Sequence, residues 1–551
     1  MHPLLASLPI LALIAAMTLR IPRARLPLPA HVALPAAAAL ALALQALAGT
    51  SAGAGVLAAR IIEGALTALM PLAIVFGAII LFRTLERSGA MRAITSRLER
   101  SVPDPVLRVL LIAWAFSYLV EGLSGFGAPA ALAAPLLVGL GFPPVRAAAA
   151  CLVMNTTPVV FGAVGTPIWF GLGEIGLDAA EHRAIGFTAA IVQAIAAPVI
   201  VALALRLLFP WNELKRRAVA IVAIPLLTVA AAAITARFSV EFPSIVGGTC
   251  ALAAASLAGR FGRSEPSRSP PTEAAPEMPI WRAALPLVAT IALLAVTRLE
   301  PLGLRRLLNA ESPALEVDLG SLGEFSVSAA LVVSLRDILG AGIAWTMPLL
   351  YVPFIIPFIV VALASGPLLG LSRRDHAGVW GGALRRLALP AVALVGALVF
   401  VKLMMHGGES APLIAVGRAL AAAVAAIHGP LWIGAAPIVG ALGSFFSGSA
   451  TVSNLTFAPL QLEIADRLAL DQTRVLALQS VGAALGNMIC IHNIVAVAAV
   501  LGLGARSAAT TAANARAAPV SEDPVAEILR LTATPLAAAL ALAALAAAAL
   551  P

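Results

Sequence analysis

The sequence predicts an all-α polytopic membrane protein of about 12–14 transmembrane helices, built as two inverted-topology repeats with re-entrant hairpins and discontinuous helices. Three observations predict it. Of 551 residues, 61% are hydrophobic and only 11% charged, with a mean hydropathy of +0.99, whereas a soluble domain averages about 25% charged. The apolar residues fall into runs that cover the roughly 20 helical residues needed to cross a hydrocarbon core. Two distant stretches of the chain interrupt such runs with glycine, proline, serine, threonine and asparagine.

The net charge of +9 lies in short basic clusters between apolar runs. That distribution orients a membrane protein and does not form a nucleic-acid face. The three cysteines are odd in number and sit in apolar segments, which argues against a disulfide framework. The run 4–19 has no basic segment before it and is read as a retained helix, not a signal peptide. Residues 1–60 form N-terminal membrane helices, with Arg20, Arg23 and Arg25 in a cytoplasmic loop and the N-terminus outside. The first repeat half, 61–259, starts with a span that delivers Arg83, Arg87, Arg92, Arg97, Arg100 and Arg108 to the cytoplasmic face. The Ser/Pro/Glu-rich stretch 260–282 reads as a cytoplasmic linker. Connecting helices occupy 283–386, around an external loop 298–337 whose acidic residues Glu300, Glu311, Glu316, Asp318 and Glu324 are not outnumbered by basic ones. The second half is 387–505, and a loop and C-terminal helix fill 506–551. Lys402, His406 and Glu409 end the span 387–404, where snorkelling or solvation is the default. The number of spans between 410 and 505 stays open, because the breaks lie there.

The broken cores are 114–169 and 433–503. A helical glycine costs about 1 kcal/mol and a proline about 3, and unpaired backbone groups in lipid cost several more. Such breaks persist around a cavity. Half-helix N-termini can then hold an anionic group and C-terminal carbonyls a cation near the bilayer midplane. Each core follows a span and an amphipathic stretch, in the same order and from opposite sides of the membrane, which is the mark of inverted repeats. A channel would need a continuous polar lining or a charged ring. An enzyme would need a catalytic constellation, and there is no HExxH, Walker loop, nucleophile elbow or metal-spaced Cys/His cluster. The reading is a carrier with no catalytic residue, metal or cofactor.

EGLSGFGAP at 121–129, LLVGLGF at 136–142 and NTTPVVFGAVGTPI at 155–168 resemble the bacterial L-lactate permeases, as do SFFSGSATVSNLTFAPLQ at 444–461 and GNMICIHNIVAVAAVLGL at 486–503. The resemblance spans residues 60–510. It implies secondary uptake of L-lactate, glycolate or another small 2-hydroxy monocarboxylate by proton symport across the bacterial cytoplasmic (inner) membrane. It also implies alternating access, in which a transport domain moves against a scaffold, and is compatible with a homodimer. The partners are then the monocarboxylate, the coupling proton and the lipid bilayer, with no nucleic acid. This chain departs from the permease pattern where an acidic residue becomes Ala450, a lysine becomes Asn487, and Pro-Gln becomes Ile491 and His492. Losing the acid and the base together avoids an unpaired buried ion, which costs about 3–5 kcal/mol. A carrier of a different organic anion, sodium coupling and a channel are the alternatives.

Glu121 follows an apolar run, where a carboxylate is costly and its pKa rises, so it is the first candidate for proton coupling. The alternative is an acid that faces the cytoplasm and positions a hairpin. His492 is the second candidate, with a structural histidine as the alternative. Ser124, Gly125, Gly127, Ser447, Gly448 and Ser449 permit close backbone approach and offer hydroxyls to a carboxylate, or simply let helices pack. Asn155, Thr156 and Thr157, like Thr451, Ser453 and Asn454, ligate substrate or cap half-helices. Asn487, Asn493 and Gln479 are polar groups at membrane depth, placed in a pocket or between helices. Arg146 and Arg474 read as end-of-helix anchors, with help to the substrate carboxylate as the alternative, so for an anionic substrate half-helix dipoles and hydroxyls supply the field.

Overall fold

The computed structural model describes residues 3–18, 28–47, 53–125, 128–261, 278–298, 302–353, 355–407, 411–503 and 524–549. Gly127, Glu300, Glu409, the first basic loop and most of the expected linker lie outside them. Among the described residues, nine helices are long and apolar enough to cross a membrane. Two bent pairs raise the number to eleven: Pro412–Ala425 with Gly429–Phe445, at 120°, and Gln472–Ile489 with Ile491–Val500, at 41°. Five shorter apolar helices of 10–17 residues accompany them. The protein is a multi-pass α-helical membrane protein. It divides into two compact units, Met1–Ile94 with Pro276–Leu420 and Thr95–Ala275 with Ala421–Pro551.

In the first unit the long helix Arg373–Met404 packs against Ala30–Leu47 and the 34-residue span Ala54–Arg87. Glycine sets both crossings. A Cβ on Gly64 would come within 2.7 Å of the Val399 Cα, and one on Gly396 within 2.6 Å of the Pro35 ring, so the backbones meet where side chains would hold them apart. Beside the first crossing, Lys402 does not snorkel. Its Nζ donates to Glu63 at 2.6 Å, and Arg60 donates to the other Glu63 oxygen at 2.7 Å. The Gln45 amide adds a bond to the Leu403 carbonyl at 2.7 Å. Removing one member of such a buried set strands the other charge. Lys402→Met is therefore expected to lower stability by about 3 kcal/mol, the low end of the usual range because Arg60 stays on Glu63. Glu63→Gln/Lys402→Met should recover most of it, and thermal unfolding in detergent measures both.

The expected external loop 298–337, together with the residues after it up to Pro348, departs from an all-helical chain. Strands β1 (Ala314–Asp318), β2 (Glu324–Ser328), β3 (Val332–Arg336) and β4 (Trp345–Pro348) form an antiparallel meander in that order. Phe325 and Val327 face Leu335 and Val333 across β2 and β3, and the Ser326 and Ser334 hydroxyls bond at 2.7 Å. Its charge balance marks this segment as polar, but the period-2 alternation in FSVS and VVSLR makes strands of it. Leu335, Ile338 and Ile343 then close over Ala59 near the start of the span Ala54–Arg87.

The second unit holds both broken cores. Ala179–Arg206, Ala218–Ala236, Pro243–Phe261 and Pro524–Ala548 surround them. Asp178 starts the first of these with a capping box: it accepts from Ala180 and Glu181 N–H, and Glu181 returns a bond to the Asp178 N–H at 2.7 Å. Those bonds hold the Asp178 carboxyl below its ordinary range.

Candidate functional site

The first core is a hairpin followed by a broken helix. A π-helical turn, Leu110–Phe116, leads into Ser117–Ser124, which stops at Gly125 with φ +65° and ψ −164°. That conformation is essentially restricted to glycine, and a Cβ there would also meet the Ala163 methyl at 2.8 Å. Glu121 lies one turn before the stop and is 1% exposed. Asn155 Nδ2 donates to its Oε2 at 3.1 Å. Gly162 faces the other oxygen, where a Cβ would come within 2.9 Å of Oε1.

Pro144–Met154 ends at Asn155, and after a 3-10 turn, Thr157–Phe161, the chain takes three left-handed residues in a row: Ala163 (φ 44°), Val164 (φ 58°) and Gly165 (φ 73°). Each non-glycine residue held there costs roughly 1–2 kcal/mol. The break also frees carbonyls that water cannot satisfy at membrane depth. Side chains take over that task. Gln193 Nε2 donates to Thr157 O at 2.9 Å, Ser244 Oγ to Pro158 O at 2.8 Å, Trp169 Nε1 to Val164 O at 2.8 Å and Asn454 Nδ2 to Pro167 O at 2.8 Å. Gln193→Leu leaves the Thr157 carbonyl buried and loses this bond. The expected cost is about 1–3 kcal/mol of stability, visible as a lower unfolding temperature in detergent.

The second core repeats the order. Trp432–Ser447 turns at Gly448 (φ 72°, ψ 14°), and Ser449 caps Ala450–Arg467 by accepting the Val452 N–H at 3.3 Å. Gln472–Gly486 then breaks at Asn487–Ile489 and resumes as Ile491–Val500. Asn493 Nδ2 bridges the break to Asn487 Oδ1 at 3.2 Å.

The two breaks meet in one cavity of about 20 Å³, room for roughly one water. Glu121, Gly125, Gly162, Ala163 and Thr166 line it from the first core, and Gly448, Ser449, Ala450, Thr451 and Asn487 from the second. Among its described lining residues Glu121 is the sole carboxylate and none is basic. The other polar groups in that lining are the hydroxyls of Thr166, Ser449 and Thr451 and the amide of Asn487.

Six of the expected residues line the cavity: Glu121, Gly125, Gly448, Ser449, Thr451 and Asn487. Asn155 reaches it through Glu121, and its Oδ1 has no partner among the described residues. Ser124 and Thr156 donate to carbonyls of their own helix, Val120 and Val153, and Ser447 donates to Gly443. Thr157 is fully buried and does not line the cavity. Ser453 and Asn454 place their bonds on Gly440, Pro167 and Ser480, behind the hairpin tip. Asn493 sits on Asn487, and His492 is exposed just after the second break, its Cβ 3.7 Å from where a Gly448 Cβ would stand. Gly162, Ala163, Thr166 and Gln193 were not singled out by the sequence. The first three lie in the run 155–168 that carries the resemblance, whereas Gln193 is a lone amide in an apolar helix, and only the carbonyl it meets gives it meaning.

The sequence profile of the L-lactate permease family matches residues 2–511. A Haemophilus influenzae relative, provisionally named an L-lactate permease, is 40% identical over 449 residues, covering 81% of this chain and 84% of its own. The L-lactate permease of Escherichia coli K12 is 28% identical over 472 residues, 81% of each chain. The glycolate permease of the same organism is 27% identical over 470 residues, 80% of this chain and 81% of its own. Among solved structures, the Alcanivorax borkumensis YdaH transporter aligns with a TM-score of 0.42 at 16% identity, over 88% of this chain and 86% of that one. That likeness is too slight to carry an argument.

Proposed function

Because the chain belongs to the L-lactate permease family, we propose that it imports L-lactate or glycolate across the bacterial cytoplasmic membrane by proton symport with alternating access. The observation that carries the reading is the cavity itself: one buried carboxylate, Glu121, amid hydroxyls, an amide and two helix breaks, with no cation in its described lining. Two like charges about 4 Å apart repel by roughly 4 kcal/mol at an effective dielectric of 20. A monocarboxylate therefore enters favourably once Glu121 has taken up a proton, which couples one proton to one anion and moves no net charge. Asn155 suits both states. Its NH₂ donates to ionised Glu121, as at 3.1 Å here, and its Oδ1 can accept from the protonated acid after the amide turns over.

A cavity of about 20 Å³ cannot contain lactate, so the hairpin tips and breaks must part on one side at a time to admit and release it. The test is uptake of labelled L-lactate into proteoliposomes under an imposed pH or sodium gradient, with glycolate, pyruvate, acetate and a dicarboxylate as competitors. Accumulation driven by an inward proton gradient, with glycolate competing best, is expected. Accumulation under sodium alone would overturn the coupling, and no uptake of any monocarboxylate would overturn the carrier assignment.

A further inference from the structure

Behind the second hairpin lies a buried chain of side-chain hydrogen bonds that the transport reading leaves unused. Trp432 Nε1 donates to Gln461 Oε1 at 2.8 Å, and Gln461 Nε2 donates to Gln479 Oε1 at 2.9 Å. Gln479 Nε2 donates to Ser453 Oγ at 3.1 Å and, at 3.4 Å, to Asn454 Oδ1. Asn454 Nδ2 completes the chain on Pro167 O at 2.8 Å. The three amides are fully buried, and Trp432 is 5% exposed.

The chain has a direction. An indole N–H only donates and a carbonyl only accepts. Trp432 therefore turns Gln461 oxygen-first, Gln461 turns Gln479 the same way, and Gln479 turns Asn454, whose amide N–H is left for Pro167. Each amide can face one way without setting two donors or two acceptors against each other. The chain also has definite ends. It starts at the base of the second hairpin, passes through Gln479 on the adjoining helix Gln472–Gly486, and ends on Pro167, which lines the cavity from the first broken helix. On the way it grips Ser453, whose Oγ bonds Gly440 O in the other hairpin arm at 2.8 Å and whose N–H bonds Ser449 O at 3.0 Å. Backbone packing puts Gln479 there: a Cβ on Gly440 would run into the Gln479 carbonyl, and one on Gly482 into the Pro437 carbonyl.

We propose that Gln479 is a positioning residue of the substrate site: through Ser453 and Asn454 it holds the Ser449–Thr451 tip of the second hairpin in register with Pro167 of the first broken helix. This rests on the transport reading above. It touches no substrate. Its loss misplaces cavity-lining hydroxyls that meet the anion, so it weakens binding more than turnover.

The experiment is lactate counterflow, with no imposed gradient, for the wild type, Gln479→Met and Gln461→Met. Methionine keeps much of the shape and removes the polar links. Gln479→Met should raise KM about tenfold, the equivalent of one good hydrogen bond, with Vmax within about twofold. Gln461→Met should act in the same direction, and the double substitution should not exceed the larger single effect by more than about twofold, because both residues serve one chain. An unchanged KM in Gln479→Met, with only Vmax or the amount of folded protein reduced, would overturn the proposal and leave Gln479 a packing residue. A second arm needs no lactate: the rate at which a soluble maleimide modifies Ser449→Cys, with and without Gln479→Met. A several-fold change is expected, and identical rates would overturn the proposal. If the wild type carries no monocarboxylate, the transport reading fails, and the labelling arm still decides the position of the tip.

Discussion

Glu121→Gln should retain lactate counterflow within a fewfold of the wild type and lose accumulation driven by a pH gradient altogether. Glutamine matches the protonated acid in shape and charge, so it represents permanently the state that admits an anion. On the proposed mechanism the wild-type carboxylate gains a proton before the anion enters, so the KM for lactate is expected to rise with pH. In Glu121→Gln that dependence should flatten, with KM unchanged across the range where the wild-type KM climbs. Asn155 can still donate to the glutamine carbonyl. The measurement is paired: counterflow with no gradient, and net uptake with one, on the same vesicles. Retained proton-driven accumulation in Glu121→Gln would move coupling away from this residue. The exposed His492 would then be the next candidate, and His492→Gln the next variant.

The second large effect is expected from a single methyl group. Gly162 has φ −65° and ψ 159°, a conformation that alanine adopts without strain, so Gly162→Ala changes the site rather than the backbone. Its Cβ would stand 2.9 Å from Glu121 Oε1, inside contact distance. The carboxylate must swing away from Asn155 or into a cavity of about 20 Å³ that has no room for it. Transport should fall by more than about tenfold, since misplacing a single group at a preorganised site by about 1 Å costs on the order of 100-fold at the extreme. Thermal stability should fall by only about 1–3 kcal/mol, the usual cost of overpacking. Gly125→Ala provides the contrast. There the φ of +65° is denied to alanine and the added methyl meets Ala163, so stability and transport should fall together. Equal transport in Gly162→Ala and the wild type would show that Glu121 can leave its present place without consequence.

How much of this was legible beforehand varies with the range of the interaction. The hairpin tip Gly448–Ser449 was marked by its own residues, because a turn inside an apolar run needs a left-handed glycine and a capping hydroxyl, and both are local requirements. Glu121 stood out for the same reason: one ionisable group in an apolar setting is conspicuous whatever surrounds it. The left-handed turn at Ala163 and Val164 was hidden, since neither residue favours it and only the surrounding packing holds it there. Lys402 looked like a snorkelling end-of-helix cation until the fold brought Glu63, 339 residues away in sequence, to 2.6 Å. Ser453 and Asn454 resembled Thr451 as polar residues on one turn, yet Thr451 lines the cavity while the other two hold the hairpin to its neighbours.

By itself the sequence determined the membrane class and the positions of the breaks, because transfer free energies and the cost of glycine and proline accumulate residue by residue along the chain; the permease family rested on the likeness of its motifs. Only the tertiary structure decided which polar groups share a cavity and which satisfy freed carbonyls. An unpaired group in a water-poor interior must find a partner wherever the fold places one, and for Thr157 and Pro167 those partners are Gln193 and Asn454, on helices elsewhere in the chain.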